Sequence, residues 1–560
     1  MNFVKPVLFF SLFGFLFLAG CQKELVSKKE QKSAVRQPRL VLTIVVDQML
    51  PDHFTRYSHL YEGGLARLLN QGAVFSDAHH DHGHTVTGAG HATIASGCYP
   101  SVNGIVGNNW YNRDLQEAIY CCEDREAPLL GYPDENIREG RSPRNLLVST
   151  LGDWLKAASA ESKVFGVARK DRASIFSTGK NADGAYWYNS KDGKLITSEY
   201  YTDRYPEWVE RFNESGMVDQ YFESGWHKVL AAEAIYELAR EDEFPAEGEG
   251  HSTFPHLLNK KSESPDKAYY SALEVTPFGE ELVLEFAKEA VRHEQLGMDE
   301  IPDILFVGFS AADAIGHRYG PFSQEALDYY IRLDRYLGDF FDFLDTEIGK
   351  DRYIVMLSSD HGVLPLPEDL IRQGIPAKRI SDKERWMILR QIQEDVAAEF
   401  NLEKKLILSQ EAAGIYLNYA AADKQGVSRE AFEEKMTKRI LEIESIENVF
   451  SKEDLMQKQD GGSTFLGKYQ RSFHPERSGD LMIQGKKYHL VKTAYGTSHG
   501  SPYEYDTHIP LIFLGPGIKP ATHTGKVRTV DIAPTIAEFL GLKPHKKIDG
   551  ESLLPLLINP

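Results

Sequence analysis

Residues 40–47 read LVLTIVVD, an unbroken run of apolar and β-branched side chains that stops on a carboxylate. Four further runs share that form: VFGVAR (164–169), DILFVGFS (303–310), YIVMLSSD (353–360) and PLIFLGPG (510–517). A strand with one wet face alternates apolar and polar residues, whereas continuous runs belong to strands covered on both faces. Helical patterns lie between the runs, such as LARLLNQ after the first and ALDYYIRLDRYLGDFFDFLDTEI before the fourth. Strands alternating with helices predict an α/β fold, a doubly wound and mainly parallel sheet flanked by helices.

Sheets of that kind bind ligands beyond the carboxyl ends of their strands. Asp47 ends the first run, Lys170 and Arg172 follow the second, Asp313 and His317 follow the third, and Asp360 and His361 end the fourth. A single strand-end Asp is commonly a turn or helix cap. Ionisable groups repeated along one edge point instead to a site.

A second stretch, HTVTGAGHATIASGCYPSVNGIVGNNWY (84–111), places a hydroxyl before a small-residue helix and a Gly-Asn loop. Thr87 stands where an N-cap would, at the positive end of that helix, a position suited to a phosphate. Asp313 and His317 are four residues apart, on one face if helical, and suit two ligands of one ion. With Asp47, Asp360, His361 and His499 (in YGTSHGSPYEYD) they make two sets of three: Asp313, His317, His499, and Asp47, Asp360, His361. Mixed His and Asp ligation without Cys suits zinc or another borderline divalent ion, with a position left open for chemistry. The denser run DAHHDHGH (77–84) reads as a flexible loop bordering Thr87, with His84 near substrate, and not as a metal site, because a flexible loop makes a poor cage.

The chain of 560 residues carries a net charge of -19, which disfavours nucleic-acid duplexes and general anionic surfaces as partners. An anion site must therefore make its positive charge locally. Residues 1–20 combine Lys5 with the apolar PVLFFSLFGFLFLAG, too short for a membrane span, and read as an export signal. Leu18-Ala19-Gly20-Cys21 looks like a bacterial lipobox, so a lipidated Cys21 would attach the protein to a membrane, with residues 21–38 as a polar tether. In that oxidising compartment Cys98 could pair with Cys121 or Cys122. Residues 39–179, 301–365 and 491–560 form the expected catalytic core, with insertions at 180–300 and, as a smaller α+β unit, at 366–490.

These residues resemble the alkaline phosphatase superfamily: Asp47, Thr87 with His91 and Gly97, the loop ending at Asn108, Asp313-x-x-x-His317, Asp360-His361-Gly362 and His499-Gly500 fall in its order. The nucleophile stretch resembles nucleotide pyrophosphatase/phosphodiesterases. Lys170-Asp171-Arg172 and S-H-G-S-P-Y-E-Y-D resemble phosphate-irrepressible bacterial alkaline phosphatases. Sulfatases modify a Cys in C-x-P-x-R, and Cys98-Tyr-Pro-Ser-Val102 lacks the Arg. The resemblance implies two zinc ions, one on Asp313, His317 and His499, the other on Asp47, Asp360, His361 and Thr87. It implies hydrolysis of small phosphate monoesters through a phosphothreonine, with Asn108, the Gly88 amide, Lys170 and Arg172 holding the phosphoryl oxygens. A phosphodiesterase, or a non-catalytic surface lipoprotein, are the alternative readings.

Overall fold

In the computed structural model, which describes Met1 and residues 37–132, 137–248, 252–259, 262–457, 464–544 and 546–559, the first apolar run becomes β1 (Leu40–Val46), every residue of it buried. Side chains alternate between the faces of a strand. Leu40, Leu42, Ile44 and Val46 accordingly enter one core, while Val41 and Val45 enter the core on the opposite face. That is why the run does not alternate. Truncating Leu40, Leu42 or Ile44 to Ala removes about 2–5 kcal/mol of packing.

β1 is central in a ten-stranded sheet. Its other strands, in chain order, are β2 (Ala73–His79), β3 (Val164–Ala168), β4 (Gly184–Asn189), β5 (Lys194–Ile196), β6 (Asp303–Phe309), β7 (Tyr353–Ser358), β8 (His508–Leu514) and β9 (Ala521–His523). The order across the sheet is β9-β2-β8-β7-β1-β6-β3-β4-β5, with Val527–Arg528 also pairing with β2. β1 runs parallel to β6 and β7, and β3 parallel to β6 and β4. β8 is antiparallel to β7 and β2, and β5 to β4. The sheet is therefore mixed but mainly parallel, and the strand ends of β1, β3, β6 and β7 share one edge.

Three helices matter for that edge: α1 (Thr87–Ser96), α2 (Asp171–Thr178) and α3 (Ala311–Tyr319). Within residues 180–300, β4 and β5 complete the sheet. Within 366–490, strands Ile407–Glu411, Gly414–Leu417, Leu481–Gly485 and Ile446–Ser451 form a separate antiparallel sheet, and Val396, Leu417, Phe432 and Met436 are part of its own core.

Two sequence expectations are corrected. The run 77–84 is not a flexible loop: Asp77–His79 belong to β2, and His80 and His82 are fully buried. His80 Nε2 lies 3.0 Å from the Ser359 carbonyl and Nδ1 lies 3.0 Å from Thr529 Oγ1, so polar partners make its burial possible. Cys98, Cys121 and Cys122 are all free and buried. Cys121 Sγ sits beside Gly88 at the start of α1, where a Cβ would meet it at 3.2 Å. Cys98 follows the other end, roughly 13 Å away at about 1.5 Å per helical residue, beyond disulfide reach. All of the expected signal (1–20) but Met1, Cys21 and nearly all of the tether (21–38) lie outside the described residues.

Candidate active site

Thr87 opens α1 but does not cap it: Val86 is the N-cap, and no side-chain cap bond is made. The helix is pressed against the end of β7, since a Cβ on Gly90 would stand 2.2 Å from the Asp360 carbonyl oxygen. That contact requires glycine. The Thr87 hydroxyl, almost fully buried, is left facing two cations. Lys170 Nζ is 3.3 Å and Arg172 Nη2 3.4 Å from Thr87 Oγ1.

The arrangement is made at the start of a helix. Lys170 is the N-cap of α2, and Arg172 reaches Thr87 from the first turn of the helix. Asp171 turns away: it accepts from Tyr120 Oη at 2.5 Å and from Arg141 Nε at 2.6 Å. Tyr120 Oη in turn accepts from Arg172 Nη1 at 3.1 Å. Burial alone would weaken the Arg172 cation, but the neighbouring Tyr120 and Asp171 outweigh it and keep the guanidinium charged. The Gly88 amide, expected to face phosphate, donates instead to Asn108 Oδ1 at 2.8 Å. This fixes the Asn108 side chain with its Nδ2 as the remaining donor.

Asp313, His317 and His499 each offer one donor atom, all within 4.8 Å of one another. Asp313 and His317 lie one turn apart on α3, His317 Nε2 3.2 Å and His499 Nε2 3.5 Å from Asp313 Oδ1. In each ring Nδ1 donates to a carbonyl, His317 to Thr497 at 2.9 Å and His499 to Thr85 at 2.8 Å. Such bonds set the tautomer and leave Nε2 with its lone pair free, as metal-binding histidines require. Burial and the adjacent His361 hold His499 down to about 3, so it stays neutral.

The second set is brought together only in part, with His91 standing among the donors where His361 was expected. Asp47, Asp360 and His91 present donor atoms within 4.8 Å. Both nitrogens of His91 are engaged, Nδ1 at 3.1 Å from Ser177 Oγ and Nε2 at 3.2 Å from Asp47 Oδ1. His361 Nδ1 donates to the Gly362 carbonyl at 2.9 Å, and its Nε2 lies 3.2 Å from Asp360 Oδ2. Those two atoms, His361 Nε2 and Asp360 Oδ2, are buried with no hydrogen-bond partner among the described residues. Burial opposes charge on His361, yet Asp360 and Asp313 raise it to about 9. The pocket thus draws positive charge strongly.

Lys170 spans the two sets, its Nζ 2.9 Å from Asp47 Oδ2 and 2.6 Å from Asp313 Oδ2. Burial pushes Asp313 upward, but His317 and Lys170 hold it well below the usual carboxylate range. His84 packs its Nδ1 3.2 Å from the Gly500 carbonyl, beside the His499 loop.

Two supporting residues escaped the sequence reading. Gln48, at φ 67°, donates from its backbone N to Asp360 Oδ1 at 3.2 Å and from Nε2 to Asp313 Oδ1 at 2.7 Å. Glu280 accepts from the Ala311 amide at 2.7 Å and so caps the helix that carries Asp313 and His317. Neither lies in a recognisable motif, and the one mark the sequence puts on Gln48 is that it follows a strand-end Asp.

Residues 41–508 match the type I phosphodiesterase / nucleotide pyrophosphatase family. The chain is 33% identical over 523 residues to alkaline phosphatase PafA of Elizabethkingia meningoseptica, covering 92% of this chain and 93% of that protein. It is 36% identical over 532 residues to a protein of Myroides odoratus named calcium-transporting ATPase, covering 93% and 94%. Among the described residues no helix is long and apolar enough to cross a membrane. The crystal structure of PafA superimposes with a TM-score of 0.86 at 32% identity, covering 94% of this chain and all of that one. A solved PafA variant with the same score, covering 93% of this chain and 99% of its own, carries substitutions at a threonine, an asparagine, a lysine and an arginine. Their intervals of 21, 62 and 2 positions equal those between Thr87, Asn108, Lys170 and Arg172. The chain belongs to the type I phosphodiesterase / nucleotide pyrophosphatase family within the alkaline phosphatase superfamily, and it is a phosphoric ester hydrolase.

Proposed function

We propose that this protein is an alkaline phosphatase that hydrolyses small phosphate monoesters through a phosphothreonine at Thr87, with two zinc ions. The observation that carries this reading is the convergence of Lys170 and Arg172 on the Thr87 hydroxyl. Asp313, His317 and His499 would hold one ion, and Asp47, Asp360 and His361, with Thr87, the other. The donor set fits: oxygen and nitrogen only, tautomers fixed by carbonyls, and buried atoms of Asp360 and His361 unpartnered. When bound, the ions supply the Lewis acidity that eases deprotonation of a hydroxyl and offsets charge on a departing oxygen.

Charge balance supports two divalent ions. Asp47, Asp313 and Asp360 are buried carboxylates, and a monoester dianion brings two more negative charges. Lys170, Arg172 and a protonated His361 return only three of those five. Buried charge left uncompensated at that level costs far more than a fold can bear.

The chain's own residues then act in order. Thr87 loses its hydroxyl proton to solvent and its Oγ attacks phosphorus in line with the ester oxygen; the new O–P bond forms as the old one breaks, and the departing alkoxide takes up a proton from water. Lys170 and Arg172 hold the developing charge at Thr87 and on the phosphoryl oxygens, and Asn108 donates from Nδ2. Water then attacks the phosphothreonine, which releases inorganic phosphate and restores the hydroxyl. A dianion presents one more charged oxygen to the cation pair than a diester does. Replacing Lys170 and Arg172 together by Ala should therefore lower monoester kcat/KM at least a hundredfold, at about 1.5–3 kcal/mol per charge-assisted bond, and diester kcat/KM much less. Equal losses, or a wild-type preference for diesters, would favour the phosphodiesterase reading. Chelation should abolish turnover, and zinc should restore it.

Export and lipidation at Cys21 complete the proposal, resting on the lipobox-like Leu18–Cys21. Cys21→Ser should release the protein from the detergent phase into the aqueous one. Unchanged partitioning would remove the anchor.

A further inference from the structure

We propose that Asp77, His79 and His508 form an additional divalent-metal site, distinct from the two catalytic sets. The three residues lie on β2 and β8, on the side of β7 away from β1. His508 and His79 are register partners across the antiparallel pair, and Asp77 lies two positions before His79, on the same face of β2.

The local backbone explains how the ligands converge. The β2–β8 register shifts between Ile509 and Leu511, so Pro510 and the residues facing it form an irregularity. Pro510 has no N–H to offer the neighbouring strand. The Ser76 carbonyl is met instead by the His508 ring, whose Nε2 donates to it at 2.9 Å. That bond leaves Nδ1 as the His508 lone-pair donor, the arrangement seen around metal-binding histidines. It is the same device that this chain uses on His317 and His499.

Asp77 Oδ1 is 2.7 Å from His79 Nε2, and the His79 and His508 rings stack with centroids 4.7 Å apart. One donor atom from each of the three falls within 4.8 Å of the others. Small side-chain rotations bring such atoms to the roughly 2.0–2.2 Å that zinc takes with nitrogen and oxygen. Two imidazoles and one carboxylate suit zinc or another borderline divalent ion rather than calcium or magnesium. The His79 side chain is 12% exposed and that of Asp77 43%, so an ion can enter from solvent while water completes its shell. Bound there, it would cross-link β2 to β8 at the catalytic edge of the sheet.

The test is a metal count on zinc-loaded protein freed of loose ions by gel filtration. The double variant His79→Gln/His508→Gln is expected to carry one zinc per chain fewer than wild type while keeping aryl phosphate hydrolysis. Equal zinc content in the two proteins overturns the site. Because the readout is a difference, failure of the two-zinc reading would change the wild-type total and leave this difference standing. If the double variant does not fold, Asp77→Asn carries the test. It should weaken the most loosely held zinc at least tenfold in chelator competition, and unchanged affinity overturns the proposal.

Discussion

Replacing Gln48 by glycine should loosen zinc without unfolding the protein. Gln48 occupies left-handed backbone space, φ 67°, where a side chain is strained by about 1–2 kcal/mol. Glycine removes that strain and keeps the backbone N–H that donates to Asp360. What it loses is the 2.7 Å bond from Nε2 to Asp313 Oδ1. A hydrogen bond to a charged group is worth about 1.5–3 kcal/mol, which at about 1.4 kcal/mol per tenfold predicts zinc held roughly 10–100-fold more weakly by the Asp313 set. The measurement is competition against a chelator of known affinity, with thermal unfolding of the metal-free protein beside it. Weaker zinc together with an unchanged or higher Tm is the expected pair of results. Zinc held as in wild type would refute the claim that Gln48 orients Asp313. A Tm lowered in step with the affinity would mean that the side chain merely fills space.

Other substitutions probe other links. Gly90→Ala should disturb the fold locally and impair turnover, since its Cβ would lie 2.2 Å from backbone oxygen that cannot move aside; circular dichroism together with kcat checks both, and a normal enzyme would contradict the packing. Thr87→Ala should lose nearly all turnover with a Tm close to wild type, because Thr87 makes no capping bond; a Tm drop of many degrees would reveal a structural role. His53 accepts from the Leu50 amide at Nδ1 and donates to the Pro321 carbonyl from Nε2, so it fits only as a neutral ring, and burial holds it down to about 3. Below about 6.5 the unfolded chain takes a proton that the folded one refuses. Stability should therefore fall as pH drops from 6.5 toward 3, by about 2 kcal/mol at pH 5 from this residue alone. Urea unfolding of His53→Gln at pH 5 and 7 should show a shallower pH dependence than wild type, and an identical slope would remove His53 as the cause.

Much of the catalytic edge was legible because strand ends are marked by composition. The unbroken run 40–46 had to be buried on both faces, so the carboxylate after it had to lie at the sheet edge; the same held for Asp360. β2 was hidden because AVFSDAH mixes burial with polar residues, and its partner β8 runs antiparallel, a direction that an apolar run does not encode. His80 read as part of a loop because its partners, Ser359 and Thr529, are far away in sequence. The conformation around Lys170 is not marked in the sequence, because Asp171 begins a helix directly where the strand ends. Arg172 still reached Thr87, since the first turn of a helix and an extended segment can both project toward the same edge.

The two ligand sets are not independent units. Lys170 touches Asp47 of one and Asp313 of the other, and Gln48 touches Asp360 of one and Asp313 of the other. Two bridges between the same sets make their energetics coupled: a change at Lys170 alters the field on both carboxylates, while a change at Gln48 releases one from its orientation. Contacting residues of this kind depart from additivity by about 0.5–3 kcal/mol. Combining Lys170→Ala with Gln48→Gly should therefore leave zinc affinity different from the product of the single effects, with the sign reporting which bridge dominates. Removing Lys170 takes a competing cation from Asp313 and should tighten zinc there, whereas removing the Gln48 amide should loosen it. If tightening survives in the double variant, charge governs the Asp313 set; if it vanishes, orientation does, because an attraction that depends on a carboxylate pointing at the ion cannot act once that carboxylate is free to turn.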